Sequence, residues 1–217
     1  AEINIRQRTD VAEKNSVIID VDIDKKEKMK VHKITIVGNN NLPLKKIKGT
    51  LFTKGALSKT NEAGKLYSFF KAKKFTPERY KEDKQNLIEK YNEYGFRDAT
   101  ILEDSIVQYD DKHVDVYIKV DEGQKYYIRN INWVGNTVYN TDQLAAVLGM
   151  RKGDVYNQKL MSKRLQEDED AVGNMYWNNG YLFYTLQPTE TNVIGDSVDI
   201  EMRIQEGQQA HINRVRI

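Results

Sequence analysis

The sequence predicts an α+β protein made of tandem β-α-α-β-β units, each a three-stranded mixed sheet covered by two helices. Three observations carry this. One phrase is written three times: VIIDVDIDKKEKMKVHKITIVGN at 17–39, VDVYIKVDEGQKYYIRNINWVGN at 114–136 and VDIEMRIQEGQQAHINRVRI at 198–217. Within each copy apolar and polar residues alternate, which marks a strand with one buried face. Between the copies lie helical patterns that end on one shared signal, Tyr94-Gly95-Phe96 and Asn179-Gly180-Tyr181. Spacings of this size mean small domains in series, not a solenoid of short repeats.

The alternating residues are Val17, Ile19, Val21 and Ile23, then Val114, Val116, Ile118 and Val120, then Val198, Ile200, Met202 and Ile204. After the second set comes Asp121-Glu122-Gly123, a turn whose glycine tolerates positive φ. A new strand follows from Tyr126 to Val134 and ends at Gly135-Asn136, as the earlier copy ends at Gly38-Asn39. Each phrase therefore closes one unit, turns, and opens the next. This divides the chain into 1–25 (closing strands of a preceding unit), 26–122, 123–206, and 207–217 (the truncated first strand of a further unit). Gly207 stands at the last seam. The chain opens on AEINI, a strand pattern without a leader, which reads as a start inside a larger protein. So short a seam predicts limited rotation between neighbours, and hence a semi-rigid arm.

A short helix is expected from Leu42 to Ile47 and another from Asn140 to Gly149, with a polar residue near Thr141 as cap and Gly149 closing the end. A longer helix follows each. Thr76-Pro77 opens the first, a cap and a proline at the first helical position, and Tyr80, Leu87, Ile88 and Tyr91 form its apolar stripe. The second is expected as one helix carrying Leu160, Leu165, Val172 and Tyr176. Gly95 and Gly180 would be left-handed cap residues, with Phe96 and Tyr181 folding back onto their helices. Strands then run from Ala99 to Tyr109 and from Leu182 to Val193. Turns at Asp110-Asp111 and Gly195-Asp196 lead into the closing strands. Two intervening helices make the first and third strands parallel, so the strand order is 1-3-2 and the second strand is an exposed edge.

Composition narrows the function. The chain has 217 residues, 39% hydrophobic and 30% charged, with a net charge of +2. No global field draws it to nucleic acid, and its longest apolar runs are too short to span a bilayer as a helix. It has no cysteine, which excludes disulfides and thiolate metal sites. His32, His113 and His211 have no partner at metal-ligand spacing. Asp20, Asp22 and Asp24 lack the glycine and closing glutamate of a calcium loop and read as a solvated strand face. Glu167 to Asp170 is an acidic helical run whose members point in different directions. No nucleophile elbow, P-loop or dinucleotide fingerprint occurs. No metal, cofactor or catalytic residue is expected.

Two features are candidates for binding. An unpaired strand offers a row of N–H and C=O groups to another extended chain. That places candidate residues at Ala99, Thr100, Ile101, Leu102, Ile106 and Val107 in one unit, and at Leu182, Phe183 and Tyr184 in the other. Pro188 limits pairing in the second, so Ala99–Gln108 is the better edge, although Asp98, Glu103 and Asp104 put charge beside it. The other feature is a lysine-rich stretch with aromatics, including Lys65, Tyr67, Phe69, Phe70, Lys73 and Lys74. It reads as a contact for an anionic membrane surface or acidic partner, or as a solvated face over a small satellite core; the latter is favoured because isolated charge runs are usually solvated.

Tandem units of this size, with Tyr91, Gly95 and Phe96 or Tyr176, Gly180 and Tyr181 closing a helix and Glu122-Gly123 or Glu206-Gly207 closing the unit, resemble POTRA domains of outer-membrane β-barrel assembly factors of the BamA type. The stretch FFKAKKFTPERYKEDKQNLIEKYNEYGFRDA at 69–99 is similar to the Bacteroidetes branch of that family. Two departures are Lys25-Lys26 where Glu-Gly is expected, and extra residues at about 52–74 between the helices of the first full unit. The resemblance implies a non-enzymatic periplasmic arm, attached to the outer membrane through a C-terminal barrel. It implies unfolded outer-membrane proteins and accessory assembly lipoproteins as partners, and no nucleic acid. The same fold also serves two-partner secretion transporters and a division protein, the latter disfavoured by the repeat number. An α+β enzyme or nucleic-acid binder is disfavoured by the missing catalytic constellation and near-neutral charge.

Overall fold

The computed structural model describes residues 2–9, 17–24, 29–48, 57, 60 and 75–211. Strands β1 (Glu2–Thr9) and β2 (Val17–Asp24) form an antiparallel pair. The first full unit follows as β3 (Lys30–Val37), α1 (Leu44–Lys48), α2 (Pro77–Glu93), β4 (Thr100–Asp110) and β5 (His113–Asp121). Its sheet has the order β3-β5-β4, with β3 parallel and β4 antiparallel to β5. The second unit has β6 (Tyr127–Val134), α3 (Thr141–Leu148), α4 (Gln158–Ser162) running into a π-helical turn at Lys163–Glu167, α5 (Val172–Trp177), β7 (Thr185–Ile194) and β8 (Ser197–Gln205). Its order is β6-β8-β7, with the same senses.

The alternating residues of the second and third copies of the phrase are the core, whereas those of the first, Val17, Ile19 and Val21, are exposed, since among the described residues β1 and β2 form a two-stranded sheet with no helix over it. Val114, Val116, Ile118 and Val120 are buried against Leu87 and Tyr91 of α2 and Ile47 of α1. Val198, Ile200, Met202 and Ile204 are buried against Leu144, Leu148, Met161 and Tyr176. The period-two pattern also runs on to Glu122 and Glu206, which are buried. Glu122 accepts from the backbone N–H of Asn41 at 2.8 Å and of Leu42 at 3.1 Å. Glu206 accepts from Val138 N at 3.0 Å, Thr137 N at 2.9 Å and the Tyr176 hydroxyl at 3.0 Å. Each glutamate ties the end of its third strand to the loop after the first strand, and so satisfies donors that burial would orphan.

Local signals set the helix ends. Thr76 Oγ1 accepts from Arg79 N at 3.3 Å, ahead of Pro77. Asn140 and Gln143 make a reciprocal capping box on α3, and Gly149 caps its end with φ 68°. Phe96 N and Tyr181 N donate to Tyr91 O and Tyr176 O, each at 3.0 Å, which folds the aromatics back over their helices. Gly38, Gly95, Gly123, Gly135, Gly180 and Gly207 all have positive φ.

Three expectations are corrected. The second unit has no single long helix, and Asp168–Asp170 are not helical: the backbone leaves the helical region at Asp168 (ψ 151°) and re-enters at α5. Arg164 gathers Asp170 at 2.6 Å and Asp168 at 3.4 Å, and Asn174 Nδ2 donates to Asp168 O at 2.9 Å, so the freed groups find partners. Second, the turn of the first unit is Asp111-Lys112, because Asp110 accepts from Lys112 N at 2.8 Å and caps the turn. Third, the second strand of the second unit starts at Thr185, not Leu182. Leu182, Phe183 and Tyr184 form a tight turn in which Leu182 N donates to Gly180 O at 3.0 Å and Tyr184 N to Tyr181 O at 3.2 Å.

Candidate functional site

The two second strands, β4 and β7, each end a sheet, and no described strand pairs with their outer sides. The register of β4 decides what each side chain does. Bulges at Leu102 and Tyr109 bracket a regular stretch in which Asp104, Ile106 and Gln108 pair with Ile118, Val116 and Val114. These three share the core side of the sheet, while Glu103, Ser105 and Val107 share the outer side. Bulges twist an edge and break its ladder locally, so the regular register of β4 is Glu103–Gln108.

A groove of about 710 Å³ runs between α2 and this edge, walled by Lys81, Lys84, Gln85, Ile88 and Glu89 and floored by Ile101 and Asp104. Lys84 Nζ donates to Asp104 at 3.0 Å and lies 5.1 Å from the centre of the Tyr80 ring. Burial pushes the Tyr80 phenol well above its ordinary range, with Asp104 adding to it. The helix side of the groove is therefore amphipathic, with Ile88 between charged neighbours.

The second unit has the counterpart. A smaller groove of about 270 Å³ lies between α4 with its π-helical turn and β7, lined by Gln158, Met161, Ser162, Pro188 and Glu190. Glu190 accepts from the Tyr156 hydroxyl at 2.8 Å. Burial, the largest cause, pushes that phenol up to about 12. Pro188 has no N–H, and proline in a sheet sits on an edge with the missing donor turned outward. The β7 edge thus offers one donor fewer than its length implies.

The first strands are outer strands too, which the sequence reading passed over. The start of β6 is covered by the segment after Met150: Ile128 N donates to Asp154 O at 2.8 Å and Gly153 N to Ile128 O at 2.7 Å. Farther along, a pocket of about 430 Å³ between β6 and α3 is lined by Asn130, Trp133, Thr141, Arg151 and Lys152.

The two units meet at a seam built from both. Tyr126 N donates to Gly95 O at 2.8 Å, and the Tyr126 hydroxyl donates to Asp98 at 2.6 Å. Arg97 lies over the Tyr126 ring and reaches Glu190 at 2.8 Å. Lys159 donates to Glu93 at 2.7 Å. That contact raises the Lys159 pKa, and Lys159 and Lys90 together pull Glu93 below the usual carboxylate range against the opposing effect of its burial.

Of the sequence-derived residues, Thr100, Ile101, Leu102, Ile106 and Val107 lie on β4. Ala99 precedes it and is buried. Leu182 and Phe183 are exposed but lie before β7, and Tyr184 is buried with its ring 4.2 Å from that of Tyr176. Lys65, Tyr67, Phe69, Phe70, Lys73 and Lys74, with Ile212–Ile217 at the last seam, lie outside the described residues. His32 Nδ1 lies 2.8 Å from Asp115 and stacks on Tyr109, and His113 pairs with Asp110. Among the described residues no group of three or more potential ligands converges on one point, and no helix is long and apolar enough to cross a membrane. Sequence reasoning missed Arg97, Glu190 and Lys159. It held no signal for them, since each pairs with a residue far away in the chain.

A family model, POTRA, described as surface antigen variable number repeat, matches residues 29–123 and 126–207. The outer membrane protein assembly factor BamA of Neorickettsia risticii (strain Illinois) is 26% identical over 141 residues, covering 63% of this chain and 19% of the relative. The BamA of Nitratidesulfovibrio vulgaris is 24% identical over 204 residues, covering 93% and 25%. The chain thus spans a quarter or less of the length of these relatives. Among solved structures, POTRA3-5 of Haemophilus influenzae BamA superposes with a TM-score of 0.58 at 17% identity, covering 84% of this chain and 68% of that one.

Proposed function

The chain belongs to the POTRA family, and from that premise we propose that it is part of the periplasmic arm of a BamA-type outer-membrane assembly factor. In this reading it is a non-enzymatic scaffold attached to the outer membrane through a C-terminal barrel. It receives unfolded outer-membrane proteins, and accessory lipoproteins dock on the same kind of surface. The pair β1–β2 would be the closing hairpin of a preceding unit. Residues from Gly207 would open a following one, supported by Ala210 N donating to Gly180 O at 2.8 Å, as Tyr126 N does to Gly95 O.

The observation that carries the reading is the edge of β4, unpaired among the described strands and set beside a groove with an amphipathic wall. Backbone pairing is indifferent to the guest's side chains, which suits a scaffold that handles many different strands. Each hydrogen bond contributes only about 0.5–1.5 kcal/mol net, so a ten-residue guest is expected to bind with a Kd on the order of 0.1–1 mM. The test is a titration with peptides copied from outer-membrane β-strands, followed by backbone amide shifts. Shifts concentrated on Thr100–Asp110 support the reading; saturable binding that leaves both β4 and β7 unshifted sinks it.

A further inference from the structure

We propose that the patch formed by Leu182, Phe183 and Trp177 is the docking surface for the unit that follows, and that this second seam is apolar where the first is ionic. The inference rests on the reading of Gly207 onward as the start of a further unit. It adds the chemistry of the contact between them.

The first seam is the template. Three residues of the first unit grip the second. Glu93 accepts from Lys159 at 2.7 Å, Arg97 reaches Glu190 at 2.8 Å, and Asp98 accepts from the Tyr126 hydroxyl at 2.6 Å. All three surround the helix end at Gly95. The second unit repeats this end at Gly180. Tyr181 N donates to Tyr176 O as Phe96 N does to Tyr91 O, and Tyr184 N donates to Tyr181 O as Ala99 N does to Phe96 O. Ala210 N meets Gly180 O at 2.8 Å, the distance from Tyr126 N to Gly95 O. The closing glycines match as well. A Cβ on Gly123 would lie 3.5 Å from Asp98 Cβ, and one on Gly207 would lie 3.2 Å from Phe183 Cβ. Phe183 therefore stands where Asp98 stands, Leu182 where Arg97 stands, and Asn178 where Glu93 stands.

None of the three charges is carried over. Asn92, one residue before Glu93, is likewise replaced by Trp177. In the first unit Glu93 and Arg97 are half-buried beneath their partners. In the second, Phe183 is 74% exposed, Leu182 61% and Trp177 41%. Adjacent apolar side chains left this open mark a contact surface.

The occupant follows from continuity with the first seam. Ala210 already lies on Gly180, so a unit placed as the second is placed on the first covers this patch. Side-chain volume points the same way. Tyr126 belongs to the core of the second unit, and its ring lies against Arg97 and its hydroxyl on Asp98. Ala210 takes that place at the second seam and brings no ring. Phe183 supplies one from the opposite side. The aromatic group has crossed the seam, and the charge has left it. Exposed ion pairs are screened by salt, whereas apolar burial does not depend on charge. The first seam should therefore loosen in salt and the second should not.

The test reads a single cysteine, Asn178→Cys, beside the patch, with Ile194→Cys as the exposed control. Each is labelled with a thiol reagent in the 217-residue chain and in the full-length protein in detergent, any native cysteine of the latter being replaced by serine. In the full-length protein Asn178→Cys is expected to react about tenfold or more slowly, and Ile194→Cys at an unchanged rate. The protection should survive a rise from about 0.1 M to 1 M salt, and adding Phe183→Asp should abolish it. Equal reactivity in the two proteins overturns the docking surface. Protection lost in salt, or kept with Phe183→Asp, overturns its apolar character. Protection already present in the 217-residue chain, with a dimer in sedimentation, makes a second copy the occupant and overturns the proposal. Protection seen only in lipid vesicles does so in favour of the bilayer. No outcome here bears on strand pairing at β4, which the peptide titration tests separately.

Discussion

Gly38 and Gly135 sit at equivalent points where the first strand ends, and each faces the backbone of the third strand. A Cβ on Gly38 would lie 1.9 Å from Val120 O, and one on Gly135 would lie 2.2 Å from Ile204 O. Gly153 has a similar φ of +89° but nothing within 4 Å of such a Cβ. The left-handed conformation alone costs an alanine about 1–2 kcal/mol, so Gly153→Ala should destabilise by that much. Gly135→Ala must also move a strand, and about 3 kcal/mol or more is expected. Urea unfolding of the two variants separates the contributions. Glu206 makes a second prediction. Burial pushes its carboxyl upward, but hydrogen bonds from Thr137, Val138 and Tyr176 outweigh this and hold it below the ordinary 4.5. Its stabilisation is therefore complete above the unfolded-state value and is lost as pH falls through the lower folded value. Glu206→Gln should flatten that acid limb in pH-dependent unfolding, and should cost about 1–3 kcal/mol at pH 7 by turning an amide N–H toward backbone donors.

β4 is two-sided, and proline can tell its sides apart. Within the regular stretch Glu103–Gln108, successive N–H groups point alternately to β5 and to the open edge. Of Ile106→Pro and Val107→Pro, one therefore removes a ladder bond and the other an outward donor. The first should lower stability by about 3 kcal/mol. The second should stay close to wild type in thermal unfolding yet weaken a strand-pairing guest several-fold. If both variants bind the guest as wild type does, β4 is not the pairing edge. The strand was legible from its flanks, the Gly95-Phe96 helix end before it and the Asp-rich turn after it, and not from alternation, because along it only Ile101 is other than exposed. The break between the π-helical turn and α5 was not, because Leu160, Leu165, Val172 and Tyr176 are all consistent with one helix. Gly173 decides the matter in three dimensions: a Cβ there would sit 3.2 Å from Leu165 O and from the Trp177 ring, so α5 folds back against the preceding turn.

The two units are joined by polar contacts at the half-exposed surface rather than by a shared core. Arg97–Glu190, Lys159–Glu93 and Tyr126–Asp98 lie around the one backbone bond from Tyr126 to Gly95. Each exposed ion pair is worth about 0–1 kcal/mol and is screened by salt, so together they orient the units more than they stabilise them. Arg97→Ala combined with Lys159→Ala should leave each unit's unfolding within about 1 kcal/mol of wild type. It should broaden the distance distribution between spin labels at Glu78→Cys and Glu169→Cys. The chain has no cysteine of its own to interfere. An unchanged distribution would mean that the backbone seam alone sets the angle.

The sequence by itself determined the periodic and repeated parts: the buried face of the third strands β5 and β8, the cap at Thr76 and the glycine end at Gly149, and that the second strand lies outermost. These follow from interactions within a few residues or from a pattern repeated along the chain. Only the tertiary structure decided that Leu182–Tyr184 turn instead of pairing, that Glu122 and Glu206 are buried anchors, and that the two units meet at Arg97, Glu190 and Lys159. Those outcomes depend on partners brought together by the fold from distant positions, and a local pattern of apolar and polar residues carries no record of them.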